Sequence, residues 1–357
     1  MKKIILILLL LCLGGCYDYK EINDLAIITA IGVDFKDDEY IITLEVLNDQ
    51  TDKDSGKIES YTKTGKDKTI AKALEKAADL LSDQANYTQV KLMVLSNAII
   101  EDKFNTIIDF FMRSTYFREN FYVISSMDTS PKDILNNKTN ESKVASSTII
   151  NLLDSLNYSS NSAVLKTFDQ VIEETLAFGK DTCFSNITLD NEQFKIDGLT
   201  IFKDYEYKNT LENKYAVLYN ILTNNFYRPI FSKKYDNLYF SMAITEGNIN
   251  TSINTSYITL SGNLTGKIMD NEPNFDIRNL DILDNLNNDF EKMLNADFKE
   301  FIKVLQENES DILFLSNKYY QKNRIKEENF WHNLNIKTDI TFNINKKGLI
   351  YEVQDES

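Results

Sequence analysis

The chain is short of the residues that carry catalysis, metal binding and cross-linking. Its 357 residues include one histidine, three cysteines, one tryptophan and three prolines. A single histidine, His332, cannot make a His-x-x-x-His zinc pair, and no Cys-x-x-Cys or calcium-loop spacing replaces it. No Gly-x-x-x-x-Gly-Lys phosphate cradle, Gly-x-Gly-x-x-Gly turn or Gly-x-Ser-x-Gly nucleophile elbow occurs. No metal, cofactor or catalytic residue is therefore assigned. Beyond the first fifteen residues no apolar run reaches the length of a membrane-spanning helix. Positive charge is also in deficit: 39 Lys and Arg stand against 54 Asp and Glu, a net −15. Phosphate backbones and anionic headgroups repel such a body, which argues against nucleic-acid binding.

Hydrophobic residues make up 43% of the chain and aromatics 11%, enough for packed cores. The length fits two or three domains.

The first fifteen residues carry the most specific signal. Lys2 and Lys3 are followed by ten apolar residues, Ile4 to Leu13, too few to cross a bilayer as a helix. Leu13-Gly14-Gly15-Cys16 then matches a lipobox: a Leu three before the cysteine, with small residues that let the backbone approach a peptidase. Cys12 has Leu11 before it and fits poorly. Residues 1–15 are thus expected to be a removed signal peptide. Cys16 would carry an S-diacylglyceryl group, its amino group open to further acylation, for instance by palmitate. Two acyl chains hold a protein on a membrane where one does so only marginally. Loss of Lys2 and Lys3 makes the remainder two charges more negative. Cys183 is then the one free thiol, expected to be buried and inert, and no intramolecular disulfide can form.

Along the body, Ala26 to Phe35 and Tyr40 to Leu47 read as a hairpin about Lys36-Asp37-Asp38. Thr51 to Thr64 reads as an exposed loop. Helices are expected at Ile70 to Ser82, Phe104 to Phe111, Lys132 to Leu135 and Phe168 to Phe178, with strands at Val90 to Ile100 and Phe121 to Ser125. Asn136 to Ser162 reads as a connector, helical around Thr148 to Leu156, and composition shifts near Asn186 to Gln193. A second hairpin, Gly198 to Phe202 and Tyr207 to Leu211, precedes a helix at Tyr215 to Leu222. Strands follow at Leu238 to Ile244 and at Tyr257 to Ile268, the latter interrupted by Gly262 and Gly266. Leu280 to Gln306 carries a helical apolar stripe that includes Phe290, Phe298 and Phe301, read as core. Ile336 to Ile344 alternates like a strand with one wet face. The fold class is α+β (mixed α/β), with several small domains, each a sheet packed with helices, behind a lipidated N-terminus. The acidic pairs Asp37-Asp38 and Glu327-Glu328 read as solvated turns, and His332 beside Trp331 as structural.

Several of these segments, in order, carry a family resemblance. Gly15-Cys16-Tyr17-Asp18-Tyr19-Lys20-Glu21-Ile22-Asn23-Asp24-Leu25-Ala26, then Ile31-Gly32-Val33-Asp34, resembles the start of the mature Ger(x)C spore germination lipoproteins. Lys91 to Ile100 with Ile108 to Arg113, Ser130 to Leu135, Gly198 to Lys203, and Leu305-Gln306 through Asp311-Ile312 and Trp331 to Gly348 continue the likeness. The chain departs at Tyr17, where relatives usually have Trp, and near Leu313 to Ser316, where they have a glycine step. The resemblance implies two regions, 16–190 and 195–352, the latter similar to the GerAC-type C-terminal domain. It implies a non-enzymatic C subunit of a nutrient germinant receptor. That subunit would sit on the outer face of the cell membrane or spore inner membrane and assemble with integral A and B subunits. Contact with the germinant stays open. The alternative is a solute-binding lipoprotein of a transporter, and an extracytoplasmic hydrolase is a weaker third.

Overall fold

The structure, a computed structural model, describes residues 25–48, 58–139, 142–235, 238–271, 280–327 and 330–345. Strands β1 (Leu25–Lys36) and β2 (Glu39–Asn48) form the expected hairpin. Its turn residues Asp37 and Asp38 have φ of 54° and 61°, a conformation that short polar side chains tolerate. The loop expected at Thr51 to Thr64 is corrected from Glu59 onward, and residues 49–57 lie outside the described residues. Strand β3 (Glu59–Asp67) pairs antiparallel with β2. It is a polar edge strand with little apolar alternation, which hid it.

Helix α1 (Ile70–Ala78) lies directly on β3. Thr69 caps it, accepting a hydrogen bond from the Lys72 amide at 3.3 Å, and Ile70, Ala73, Leu74 and Ala77 are buried. A Cβ at Gly65 would stand 2.2 Å from the Ala73 carbonyl oxygen, so only glycine allows this approach. Strand β4 (Gln84–Asn86) runs parallel to the start of β1. Strand β5 (Leu92–Ser96) stops short of the expected Ile100, because Ser96 caps helix α2 (Asn97–Asp102).

Next come α3 (Phe104–Arg113), β6 (Tyr122–Ser126) and α4 (Pro131–Asn136). The expected connector contains a fifteen-residue helix, α5 (Ala145–Ser159). Then follow α6 (Phe168–Leu176), β7 (Cys183–Asp190), β8 (Gln193–Lys203), β9 (Glu206–Leu211) and α7 (Asn213–Leu222). The composition shift at Asn186 to Gln193 falls on β7 and its turn into β8. The last part holds β10 (Ile230–Tyr235), β11 (Leu238–Ile253), β12 (Tyr257–Asn271), α8 (Leu280–Glu307), α9 (Leu315–Asn323) and β13 (Asn335–Ile344). Gly262 and Gly266 do not interrupt β12.

The fold is α+β, with two sheets among the described residues. The larger has the order β3-β2-β1-β5-β6-β7-β8-β9, with β4 beside β1. Its centre, β1-β5-β6-β7, is parallel and both flanks are antiparallel. One face packs Met93, Val123, Phe184 and Phe202 against α1, α3 and α6. The other packs Ala30, Val94 and Ile124 against α4 and α5. Parallel strands covered on both faces read as unbroken apolar runs, as β5 does. The smaller sheet, β10-β11-β12-β13, is covered on one face by α8, whose Phe290, Phe298 and Phe301 are fully buried. That core also takes in Cys183, Leu199, Ile201 and Leu211 from the larger sheet, so apolar packing is continuous between the sheets.

Candidate functional site

Cys16 lies outside the described residues, which begin nine positions later at Leu25. Cys183 opens β7 and is buried; burial pushes its thiol up to about 12, so it carries no thiolate near neutrality. Beside it, Lys166 and Glu174 form an ion pair in which both side chains are mostly buried, and the Thr182 hydroxyl donates to Glu174 at 2.9 Å. The pair fixes the segment that enters α6. His332 is half-buried beside the Trp331 ring, and burial lowers its pKa. Its Nε2 has no hydrogen-bond partner among the described residues. Glu327 is exposed, and Glu328 lies outside the described residues. Among the described residues no group of three His, Cys, Asp or Glu could hold a metal ion.

Three of the concave places among the described residues bring together chemically distinctive groups. The first is a polar joint between the α6–β7 loop, the β8–β9 turn and the start of α9, with a cavity of about 280 Å³. Two buried aspartates hold it. Asp181 accepts from the amides of Asp204 (2.8 Å) and Asp311 (2.6 Å). Asp311 accepts from the amides of Leu315 and Ser316, both at 2.7 Å, and so caps α9 where Phe314 is left-handed. Burial raises both carboxyls, Asp311 to about 6, against the pull of these amides. Lys318 nearby is pushed down by burial. The arrangement is an articulated brace, with every carboxylate oxygen occupied by backbone donors. It is not a free acid–base pair.

The second is a small apolar cavity, about 260 Å³, between α7, β10 and α8. Val217, Leu218 and Phe231 line it, and at its rim Glu300 accepts from the Tyr215 hydroxyl (2.9 Å) and Lys214 (3.3 Å). Those bonds lower the Glu300 pKa, while burial raises that of Asp297 beside it.

The third, the largest of these three, is a groove of about 950 Å³ between α1 and α3, walled by Ile70, Leu74, Tyr87, Phe110 and Tyr116. Tyr87 follows β4 directly. Its ring lies 4.9 Å from that of Phe117 and 6.3 Å from that of Tyr116, and burial raises its phenol to about 12. Arg113 pairs with Asp109 at the wall. The groove has the size and apolar walls of a binding cleft but no paired nucleophile and base. Sequence reasoning marked α3 as a helix and passed over the loop after it. The signal there was the run Met112-Arg113-Ser114-Thr115-Tyr116-Phe117-Arg118, where aromatic and cationic residues alternate with small polar ones.

Comparison with known proteins gives consistent results. Residues 18–189 match the family model described as spore germination protein N-terminal domain. Residues 197–348 match the one described as spore germination B3/GerAC like, C-terminal. Spore germination protein KC of Bacillus subtilis (strain 168) is 22% identical over 360 residues, covering 90% of this chain and 87% of that protein. Spore germination protein A3 of the same organism is 24% identical over 284 residues, covering 74% of this chain and 73% of its own. The crystal structure of the GerBC protein superposes with a TM-score of 0.58 at 16% identity, covering 88% of this chain and 96% of that one. At that identity the superposition speaks for the fold.

Proposed function

The chain belongs to the Ger(x)C spore germination family, the C subunits of germinant receptors, and from that premise we propose that it is a lipid-anchored, non-enzymatic receptor subunit. In this reading Cys16 bears the diacylglyceryl group, residues 1–15 are removed, and the body rests on the outer face of the cell membrane or spore inner membrane. It assembles there with integral A and B subunits. The observation that carries the reading is the collinear match of both family models, preceded directly by the Leu13-Gly14-Gly15-Cys16 lipobox.

The proposed mechanism is confinement. An acidic body has no electrostatic attraction to an anionic bilayer, and no helix among the described residues is long and apolar enough to cross one. Two acyl chains would supply stable attachment. Holding the body in the membrane plane raises its effective concentration near integral partners, turning a weak contact into a populated one. The two regions, 16–190 and 195–352, would share this task as parts of one folded body. The two sheets also differ in strand number and direction, unlike the repeated lobes of a solute-binding protein.

The test is Cys16→Ala in a spore former that lacks paralogous subunits. Expected are release of the protein from the membrane fraction and loss of the nutrient response. Normal germination with the unlipidated protein would refute the reading.

A further inference from the structure

The end of the larger sheet where β1 begins differs from the rest of the surface. Of eleven large apolar side chains exposed among the described residues, four gather there: Ile58 (57%), Leu80 (53%), Met112 (40%) and Tyr116 (66%). Pairing fixes their position. Ile58 precedes β3, whose Glu59 pairs with Asn48 at the end of β2, and Val46 of β2 stands opposite Ile28 of β1. Leu80 lies between α1 and β4, and Gln84 of β4 pairs with Leu25. Met112 lies in the last turn of α3, and the Tyr116 ring meets that of Tyr87, next to the Asn86–Ile27 pair. Phe117 anchors the loop from below, 4.9 Å from both the Phe111 and Tyr87 rings.

Two of the chain's five arginines, Arg113 and Arg118, flank Tyr116 and are exposed; Arg113 pairs with Asp109, and the exposed carboxylates of Glu59, Asp79, Asp83 and Glu119 stand at the rim. Exposed aliphatic side chains around a tyrosine with arginines beside it suit a bilayer surface. Tyrosine sits at headgroup depth, aliphatic tips reach the acyl boundary, and guanidinium groups meet lipid phosphates.

Chain length supplies the reason for this placement. Nine residue steps separate Cys16 from Leu25, a reach of at most about 30 Å. The start of β1 can therefore never be farther than that from the lipidated sulfur. The other end of β1, at Lys36, lies about 36 Å beyond Leu25 along the strand.

We propose that the end of the larger sheet formed by Ile58, Leu80 and the Met112–Arg118 loop is a membrane-seating face that docks on the lipid headgroups. It fixes the body upright, with the β1–β2 turn pointing away from the bilayer. The groove between α1 and α3 then opens at its Tyr87–Tyr116 end toward lipid. The inference rests on lipidation at Cys16.

The experiment uses the full lipidated chain in vesicles of phosphatidylethanolamine and phosphatidylglycerol that carry headgroup-nitroxide lipids. Cys183 is buried and its thiol protonated, so Tyr116→Cys or Lys36→Cys adds a single reactive site for a fluorophore. Flotation with the vesicles is scored first, quenching second. Flotation with several-fold stronger quenching at position 116 than at position 36 is expected. Flotation with equal quenching at both would overturn the seating face and leave the anchor standing. So would an unquenched label at 116 together with cross-linking to an integral subunit in spore membranes when the Tyr116→Cys thiol carries a photo-reactive group instead, since the face would then be a protein contact. A chain that does not float would remove the anchor, and the seating face with it.

Discussion

The two sheets bury their apolar residues in different ways. In the larger sheet both faces are covered, and central strands such as β5 are buried at every position. In the smaller sheet one face meets α8 and the other meets solvent, so the second half of β13 alternates: Ile340 and Phe342 are buried while Asp339, Thr341 and Asn343 are exposed. A strand covered on both faces has no phase to lose, whereas a half-covered strand exposes its core residues if it slips by one position. The smaller sheet depends on register and on one long helix. The larger depends on filling both layers. Leu199, Ile201 and Leu211 join the smaller sheet's core, so the two should still unfold together.

The largest expected effect tests that joint behaviour. Phe104 of α3, stacked 4.3 Å from Phe202, packs on the larger sheet; Phe290 of α8, 4.5 Å from Phe342, packs on the smaller. Phe104→Ala or Phe290→Ala should each cost about 3–5 kcal/mol. Calorimetry should show one transition lowered in both variants. A split into two transitions, with only the mutated sheet shifted, would break the shared-core account.

A second effect, of somewhat smaller size, concerns the Asp181–Asp311 brace. Asp311, raised by burial to about 6, binds its proton more tightly in the fold than in the unfolded chain. The folded state therefore holds more protons between the unfolded value near 3.8 and about 6, and stability should fall as pH rises through that window. The total loss is on the order of 3 kcal/mol. Asp311→Asn cannot titrate and should flatten this part of the curve, measured as urea midpoints across the window. An unchanged slope would assign the pH dependence to other groups.

The smallest effect sharpens the contrast locally. Gly65→Ala should push α1 from the edge of the larger sheet, because the new methyl meets helix backbone. A cost of about 1–3 kcal/mol is expected. Hydrogen exchange should rise in β3 and α1 and stay unchanged in β11 to β13. Equal loosening in both sheets would contradict the assignment of this contact.

Legibility in the sequence followed the same contrast. The β1–β2 hairpin was readable as two apolar, β-branched runs about a polar turn, and α3, α8 and β13 because their apolar residues keep one period. Strand β5 looked longer than it is, since Ile99 and Ile100 continue its apolar run while Ser96 turns the backbone into a helix. Strand β11 looked shorter. Its buried residues change parity between Ile244 and Ile249, across a register shift next to Gly247 at φ 139°. Strands β3 and β10 lie at sheet edges, where little apolar surface is needed, and helix α9 is short and mostly polar, with Leu315 and Tyr319 alone among its apolar residues buried. The aspartate brace joins residues 130 positions apart through backbone amides, and no sequence spacing encodes such a contact. The seating face was equally hidden, because Ile58, Leu80 and Tyr116 become neighbours only through strand pairing.

Attachment at Cys16 underlies both the receptor role and the seating face. Mass spectrometry of the N-terminal peptide from native membranes addresses it most directly. The account predicts a peptide that begins at Cys16 and carries a diacylglyceryl mass. A peptide that still contains Leu13-Gly14-Gly15, with an unmodified Cys16 thiol, would contradict it.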